Sequence, residues 1–276
     1  MSHLEWINKI FIINLNHAKA RWEKCKTQLE KNQIHYERFE AINGKKIPIE
    51  LKELIHPLCQ KILCSKGMQG CALSHLQVLK RILDDKIDTA LILEDDFIWS
   101  TETTQKIESL KDFRQGIVKL SCIGPFCLDK VKEPTESKFA LGNGAYLIRL
   151  DHAKSLYSAI QKIYYHIDVQ TMIVSKMNEI PIYEFPCILM DGKSDSFINS
   201  SGNTLLSKYL PLSDQWKWYM KEPFLAPMGK EINLYLILNL ILFVIGLFFR
   251  KIWLGKIIIT FALADLFYYL VSDQNL

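Results

Sequence analysis

Thr89-Ala90-Leu91-Ile92-Leu93-Glu94-Asp95-Asp96 is the stretch on which the fold turns. Its uncharged part, Thr89 to Leu93, reads as a strand buried on both faces, the kind found in parallel sheets covered by helices. It runs straight into three acids. Acids at the carboxyl end of such a strand lie at the ligand-binding edge of an open α/β sheet.

Working outward, Lys9-Ile10-Phe11-Ile12-Ile13-Asn14-Leu15 is a second near-continuous apolar run. It opens a βα unit, because Ala18 to Lys31 carries Trp22, Cys25 and Leu29 at helical spacing. Tyr36 to Ile42 reads as a strand ended by the turn Asn43-Gly44. Leu51 to Ile62 is interrupted by Pro57 and reads as two short helices around a loop. Met68 to Leu83 has a strong apolar side and is predicted to be a helix. Ser100 to Phe113 reads as helical, and Ile117 to Leu120 as a short strand. Gly142-Asn143-Gly144 is a turn into the strand Ala145 to Ile148. A helix capped by Asp151 follows, then a further helix or a short strand-helix join from Asp168 to Met177. Residues 190–208 are polar and rich in Ser, Asn and Gly.

The chain has 276 residues with 34 Lys and Arg against 30 Asp and Glu, a formal charge of +4. That near balance argues against a dedicated nucleic-acid binder. The seven cysteines include no CxxC pair and read as buried free thiols of a reducing compartment. A zinc site from Cys59, Cys64 and Cys71 with His56 or His75 is the weaker alternative, since the spacings form no tight ligand pairs. The first ten residues lack the basic segment and long apolar core of a signal peptide, so the α/β part is expected in the cytoplasm.

Composition changes near residue 209, which sets expected domains of 1–208 and 209–276. Trp216, Trp218, Tyr219 and Phe224 stand among Lys217, Lys221 and Lys230 like an interfacial belt. Residues 232–249 and 257–270 are apolar runs separated by Arg250, Lys251 and Lys256. The expectation is a hydrophobic helical membrane-associating segment, either one span or two in-plane or re-entrant helices. Asp265 is costly at mid-membrane. A helical hairpin buried in an oligomer is the alternative.

Several segments in order carry a resemblance. They are Ile12-Ile13-Asn14-Leu15 with Arg21, Phe39-Glu40-Ala41-Ile42-Asn43-Gly44, Gly70-Cys71-Ala72-Leu73-Ser74-His75 and Leu91-Ile92-Leu93-Glu94-Asp95-Asp96. Gly142 to Ile148, Asp168 and Ser194 to Ile198 add later landmarks. Together they resemble glycosyltransferase family 25, the bacterial lipopolysaccharide and lipooligosaccharide enzymes that are related to collagen galactosyltransferases. The resemblance covers about residues 8–200 and leaves the C-terminal tail outside. It implies a GT-A-like, Rossmann-type α/β domain and a UDP-sugar donor, UDP-galactose first, with UDP-glucose or UDP-N-acetylhexosamine as alternatives. It also implies inversion at the anomeric carbon and a glycan acceptor.

On that reading the acids assist departure of a diphosphate. A divalent cation, Mn²⁺ or Mg²⁺, neutralises the charge that develops and prefers carboxylate ligands. In an extended segment positions i and i+2 point the same way, so Glu94 and Asp96 are the expected metal ligands. Asp95 then turns to the ribose or a backbone amide. A carboxylate base is needed for the acceptor hydroxyl, and Asp168, Asp191 and Asp195 are the candidates. Asn14, Arg21, Ser74, His75, Gly142, Asn143 and Gly144 are the expected donor-binding residues. Each has a plainer structural reading as a cap, a turn or an exposed helix residue.

The expected partners are a nucleotide-sugar donor, a lipid-linked oligosaccharide acceptor and the membrane, without nucleic acid. Self-association as a homodimer would use the C-terminal helices. The expected place is the cytoplasmic face of the bacterial inner membrane. Two other functions compete. A nucleotidyltransferase using NTP and Mg²⁺ would share the strand-end acids, but Asn14-Leu15-Asn16-His17 is not a Gly-rich basic phosphate loop. A non-catalytic membrane-associated scaffold would need no metal.

Overall fold

The computed structural model describes residues 4–121, 128, 131–191, 220, 225–227 and 232–272. The chain divides into two compact units, residues 1–56 with 68–194, and residues 57–67 with 195–276. The expected boundary at 208/209 lies outside the described residues.

The first unit is a mixed α/β sheet. Its strands are β1 (Lys9–Asn14), β2 (Glu37–Glu40), β3 (Thr89–Glu94), β4 (Phe97–Ile98), β5 (Ile117–Lys119), β6 (Thr135–Glu136), β7 (Ala145–Arg149), β8 (Ile182–Glu184) and β9 (Leu189–Met190). Its helices are α1 (Lys19–Lys31), α2 (Ile49–Lys52), α3 (Lys66–Asp84, entering from the second unit), α4 (Thr101–Glu108), α5 (Leu150–Ala159) and α6 (Ile167–Met177). The main sheet runs β2-β1-β3-β7-β5-β8-β6, and β4 pairs separately with β9. β1 lies parallel to both β2 and β3, as the apolar runs predict. β7 is antiparallel to β3 and β5, so the sheet is mixed rather than purely parallel. A strand buried on both faces reads the same in either direction, and periodicity carries no sign of it.

Register assigns side chains to faces. Ile10, Ile12, Leu91, Leu93, Val118 and Leu147 share one buried cluster with Cys25 and Leu29 of α1 and Ile107 of α4. The alternate residues point to the opposite face. There Ile13 lies beside Glu94, Ile92 beside Tyr146, Tyr146 beside Lys119 and Lys119 beside Glu184. Helix α3 covers this second face, since its His75 reaches Tyr146. The two faces are called the α1 face and the α3 face below.

Helix α3 is held close by two residues of the Gly-Cys-Ala-Leu-Ser-His segment. A Cβ on Gly70 would sit 2.5 Å from Ile42 O and 2.7 Å from Gly44 N, so only glycine allows this approach. Ser74 Oγ accepts from Ile42 N at 2.8 Å and donates to Gly70 O at 2.7 Å. Two separate segments of the resemblance therefore meet as one structural joint. The helix after β7 differs from expectation at its start. Arg149 is its N-cap and makes no side-chain capping bond, while Asp151 lies in the first turn.

The second unit corrects two expectations. Cys59 and Cys64 form a disulfide across the π-helical turn Cys59–Leu63, with Cα atoms 4.7 Å apart. The free-thiol expectation fails for this pair, because the turn brings both residues within bonding reach. The same bond removes Cys59 and Cys64 from the zinc set. Cys25, Cys71 and Cys187 are not in disulfides.

The second correction concerns the membrane-associating segment. Among the described residues no helix is long and apolar enough to cross a membrane. The first apolar run forms α7 (Leu234–Phe248), only 15 residues. At 1.5 Å per residue it reaches about 22 Å, short of the roughly 30 Å hydrocarbon core. The second run forms α8 (Trp253–Ser272), in which Lys256 and the buried Asp265 break the apolar character. The two helices pack as a hairpin. Gly246 faces Ile259, Gly255 lies against the Phe249 carbonyl, and Asn239 Nδ2 donates to Ala262 O at 3.2 Å. Hydropathy could not separate a spanning helix from a hairpin helix, because both need long apolar runs.

Candidate active site

The site is built where β1 and β3 end. Strand β3 stops at Glu94, and Asp95-Asp96 forms a turn before β4. The i, i+2 argument therefore holds through Glu94 and lapses after it. Glu94 follows Ile92 onto the α3 face, and Asp95 belongs to the α1 side.

On the α3 face, Glu94 Oε1 lies 3.0 Å from His75 Nε2 and 3.9 Å from Cys71 Sγ. His75 Nδ1 meets the Tyr146 hydroxyl at 3.2 Å. Burial pushes the Glu94 carboxyl up. The hydrogen bond and charge of His75, with smaller help from His166 and Arg21, outweigh that and hold it below its ordinary value. Burial, then Glu94, pushes the Tyr146 phenol up, so Tyr146 is a neutral hydroxyl here.

Lys119 lies beneath these groups, 1% exposed. Its Nζ donates to Asn143 Oδ1 and stands 5.0 Å from the centre of the Tyr146 ring. Burial lowers its pKa to about 8, against the opposing charges of Asp168, Glu94 and Glu184. Asn143 donates its backbone N–H to Asp168 Oδ1 at 3.0 Å and its Nδ2 to Thr171 Oγ1 at 3.2 Å. His166 caps α6 by accepting from Asp168 N at 3.3 Å. A continuous buried polar chain thus runs from Asp168 through Asn143, Lys119, Tyr146 and His75 to Glu94.

The Gly142-Asn143-Gly144 turn feeds this chain. Gly142 has φ +96°, a left-handed conformation that favours glycine. Gly144 O accepts from Glu94 N at 2.8 Å, which ties the turn to the strand end.

On the α1 side the acids meet cations and an amide. Asp95 accepts from Asn14 Nδ2 at 2.5 Å and pairs with Arg21 at 2.7 Å. Arg21 also reaches Asp96 Oδ2 at 3.4 Å. Asn14 Oδ1 accepts from Arg38 Nε at 3.0 Å and Nη2 at 2.6 Å. Burial, opposed by Arg21, raises the Asp95 pKa. Burial and then Glu94 push Asp96 up to about 7. Asp96 Oδ1 is buried with no hydrogen-bond partner among the described residues.

The sequence-predicted residues are thus distributed over both faces. Glu94, His75, Asn143 and Asp168 join the α3-face chain. Asn14, Arg21, Asp95 and Asp96 gather on the α1 side. Ser74 serves the helix joint. Asp191 pairs with Lys24, and its N–H donates to Asp96 O at 2.6 Å. Asp195 lies outside the described residues, as does the Ser194 to Ile198 landmark.

Sequence reasoning missed Lys119 and Arg38, and it placed Cys71 only in the zinc alternative with Cys59 and Cys64. For Lys119 a signal was present, since a lysine amid Ile117, Val118 and Leu120 interrupts an apolar run. Among the described residues Cys71, His75 and Glu94 bring three ligand atoms within 4.8 Å of one another, so a divalent metal is compatible with this face.

Residues 7–171 match the family model described as glycosyltransferase family 25, LPS biosynthesis protein. The chain belongs to glycosyltransferase family 25. The matched stretch holds Asn14, the whole acidic triplet, Lys119, Asn143 and Asp168. Human procollagen galactosyltransferase 2 is 28% identical over 158 residues, covering 53% of this chain and 24% of that protein. A putative glycosyltransferase of Acanthamoeba polyphaga mimivirus is 36% identical over 96 residues, 32% of this chain and 28% of its own. The chain therefore spans about a quarter of the length of these relatives. A crystal structure of A197 from STIV aligns over 65% of this chain and 81% of its own, with 15% identity and a TM-score of 0.38.

Proposed function

We propose that this family 25 chain transfers a hexose, galactose first, from a UDP-sugar to a lipooligosaccharide- or lipopolysaccharide-type glycan, with inversion and with Mn²⁺ or Mg²⁺. The observation that carries the reading is the family match over the stretch that contains the strand-end acids. The galactose preference draws on the name of the human relative.

The residues fit an oxygen-seeking cation. Asp96 Oδ1 is buried and has no hydrogen-bond partner among the described residues, and Glu94 is held ionised nearby. Glu94 and Asp96 would hold the ion, which when bound would offset charge on the departing diphosphate. Arg21 holds both Asp95 and Asp96 in place, and Asn14 orients Asp95. Gly142 lets backbone approach the sugar, while Asn143 and Gly144 support that turn from the buried side. Asp168 is the first choice of base, because the Asn143 N–H fixes its carboxylate and His166 fixes its backbone. Asp191 competes from the Lys24 side, and Asp195 remains the third candidate. The exposed Leu240, Ile241 and Trp253 of the hairpin support self-association of two chains, checked by sedimentation.

The test is UDP release from a panel of UDP-sugars with a lipooligosaccharide acceptor, with and without Mn²⁺, followed by NMR of the product linkage. UDP-galactose turnover that needs the ion and falls in Asp96→Asn supports the reading. Failure with every donor overturns it.

A further inference from the structure

Cys71 and His75 lie one helical turn apart on α3, so their side chains reach the same point. That point is the Glu94 carboxylate, 3.9 Å from the sulfur and 3.0 Å from Nε2. A tetrahedral zinc ion binds sulfur at about 2.3 Å and nitrogen or oxygen at about 2.0–2.2 Å, which sets ligand atoms roughly 3.3–3.6 Å apart. The three atoms present lie within 4.8 Å of one another, so small side-chain adjustments close the set.

We propose that Cys71, His75 and Glu94 form a zinc-type site that competes with the oxygen-donor pair Glu94 and Asp96 for the shared Glu94 carboxylate. A sulfur ligand selects zinc over magnesium or manganese, which favour oxygen. On binding, the thiol gives its proton to solvent as the sulfur–metal bond forms. Three protein ligands leave a fourth position for water or an anion.

The surroundings suit a preorganised site. Tyr146 holds the far nitrogen of His75 and so fixes the ring. Gly70 and Ser74 lock α3 against the 42–44 turn on either side of Cys71. The thiols of Cys25 and Cys187 are both pushed up to about 12 by burial, which makes them poor competitors for metal. The site rests on the placement of Glu94 shared with the proposed function, and it does not require sugar transfer.

The experiment is a Co²⁺ titration of the full metal-stripped chain. A thiolate-to-cobalt charge-transfer band is expected, saturating at one equivalent and bleached by Zn²⁺. Cys71→Ser should remove the band with the far-UV circular dichroism unchanged. Tyr146→Phe should keep the band and weaken Zn²⁺ binding by about 10–100-fold. If Cys71→Ser does not fold, Glu94→Gln replaces it, and a titration unchanged by that substitution overturns the site. No band in the wild-type chain overturns it, as does a band that survives Cys71→Ser. In the activity arm, Zn²⁺ should suppress Mn²⁺-supported UDP release. A band with no turnover on any UDP-sugar supports this site and overturns the transferase reading. Turnover with no band does the reverse.

Discussion

Glu94 and Asp95 are neighbours in sequence, yet their carboxylates occupy different settings. Glu94 faces a helix that offers His75 and Cys71, above the buried Lys119 and Tyr146. Asp95 faces Asn14 and Arg21 and is tied down by them. One step along a strand reverses the side-chain direction, and each face has its own helix. The α3 face holds groups whose protonation and ligation can change. The α1 side holds acids already matched by fixed partners. Asp96, in the turn, joins that side through Arg21, yet one of its oxygens has no partner among the described residues.

Substitutions can break this contrast. Glu94→Gln should have the largest effect, lowering UDP-sugar turnover by about 10²–10³-fold, the scale of losing one charge-stabilising group. A loss below tenfold in steady-state kinetics would move the functional centre away from the α3 face.

Lys119→Met comes next, at about 10²-fold, because it releases Asn143 and with it the Asp168 contact. Its pH dependence sharpens the point. In the folded protein Lys119 loses its proton near pH 8, below its ordinary value of 10.5. Between those values the unfolded chain binds more protons, so folded stability rises with pH across that window. The buried charge costs stability fully below about pH 8. Turnover should fall as pH rises through about 8, since the neutral lysine no longer carries the charge that faces Asp168 and Glu94. A kcat/KM profile flat from pH 7 to 10, with denaturation midpoints that show no relative gain over Lys119→Met, would remove Lys119 from the network.

Asp95→Asn tests the other side. It weakens a hydrogen-bonded charge pair and should cost about 1.5–3 kcal/mol in chemical denaturation. A variant that keeps full stability would show that the burial cost of the Asp95 carboxylate cancels its pair with Arg21. Ser74→Ala should have the smallest effect, about 1 kcal/mol, through the bond from Ile42 N. If it cut turnover as deeply as Glu94→Gln, Ser74 would touch the donor rather than the helix joint.

Much of the α/β unit was legible in the chain. The runs at Lys9 to Leu15 and Thr89 to Leu93 became β1 and β3, and the apolar face of Met68 to Leu83 became α3. These signals are local, since burial demands apolar residues at a fixed period. The antiparallel direction of β7 left no such trace. Nor did the partners of Asn14, whose Asp95 lies 81 residues away. In the C-terminal stretch the pattern misled, because apolar residues that pack a short hairpin look like residues that face lipid.

The amino-acid sequence by itself determined that acids stand where a buried strand ends, and that the ordered motifs belong to one family. Local burial and backbone geometry write those facts residue by residue. Tertiary structure alone decided which acid meets which partner, that Lys119 sits beneath Tyr146, and that Cys71 converges with His75 on Glu94. Those outcomes follow from register between strands and from the close approach of α3 at Gly70, and both depend on segments far apart in the chain.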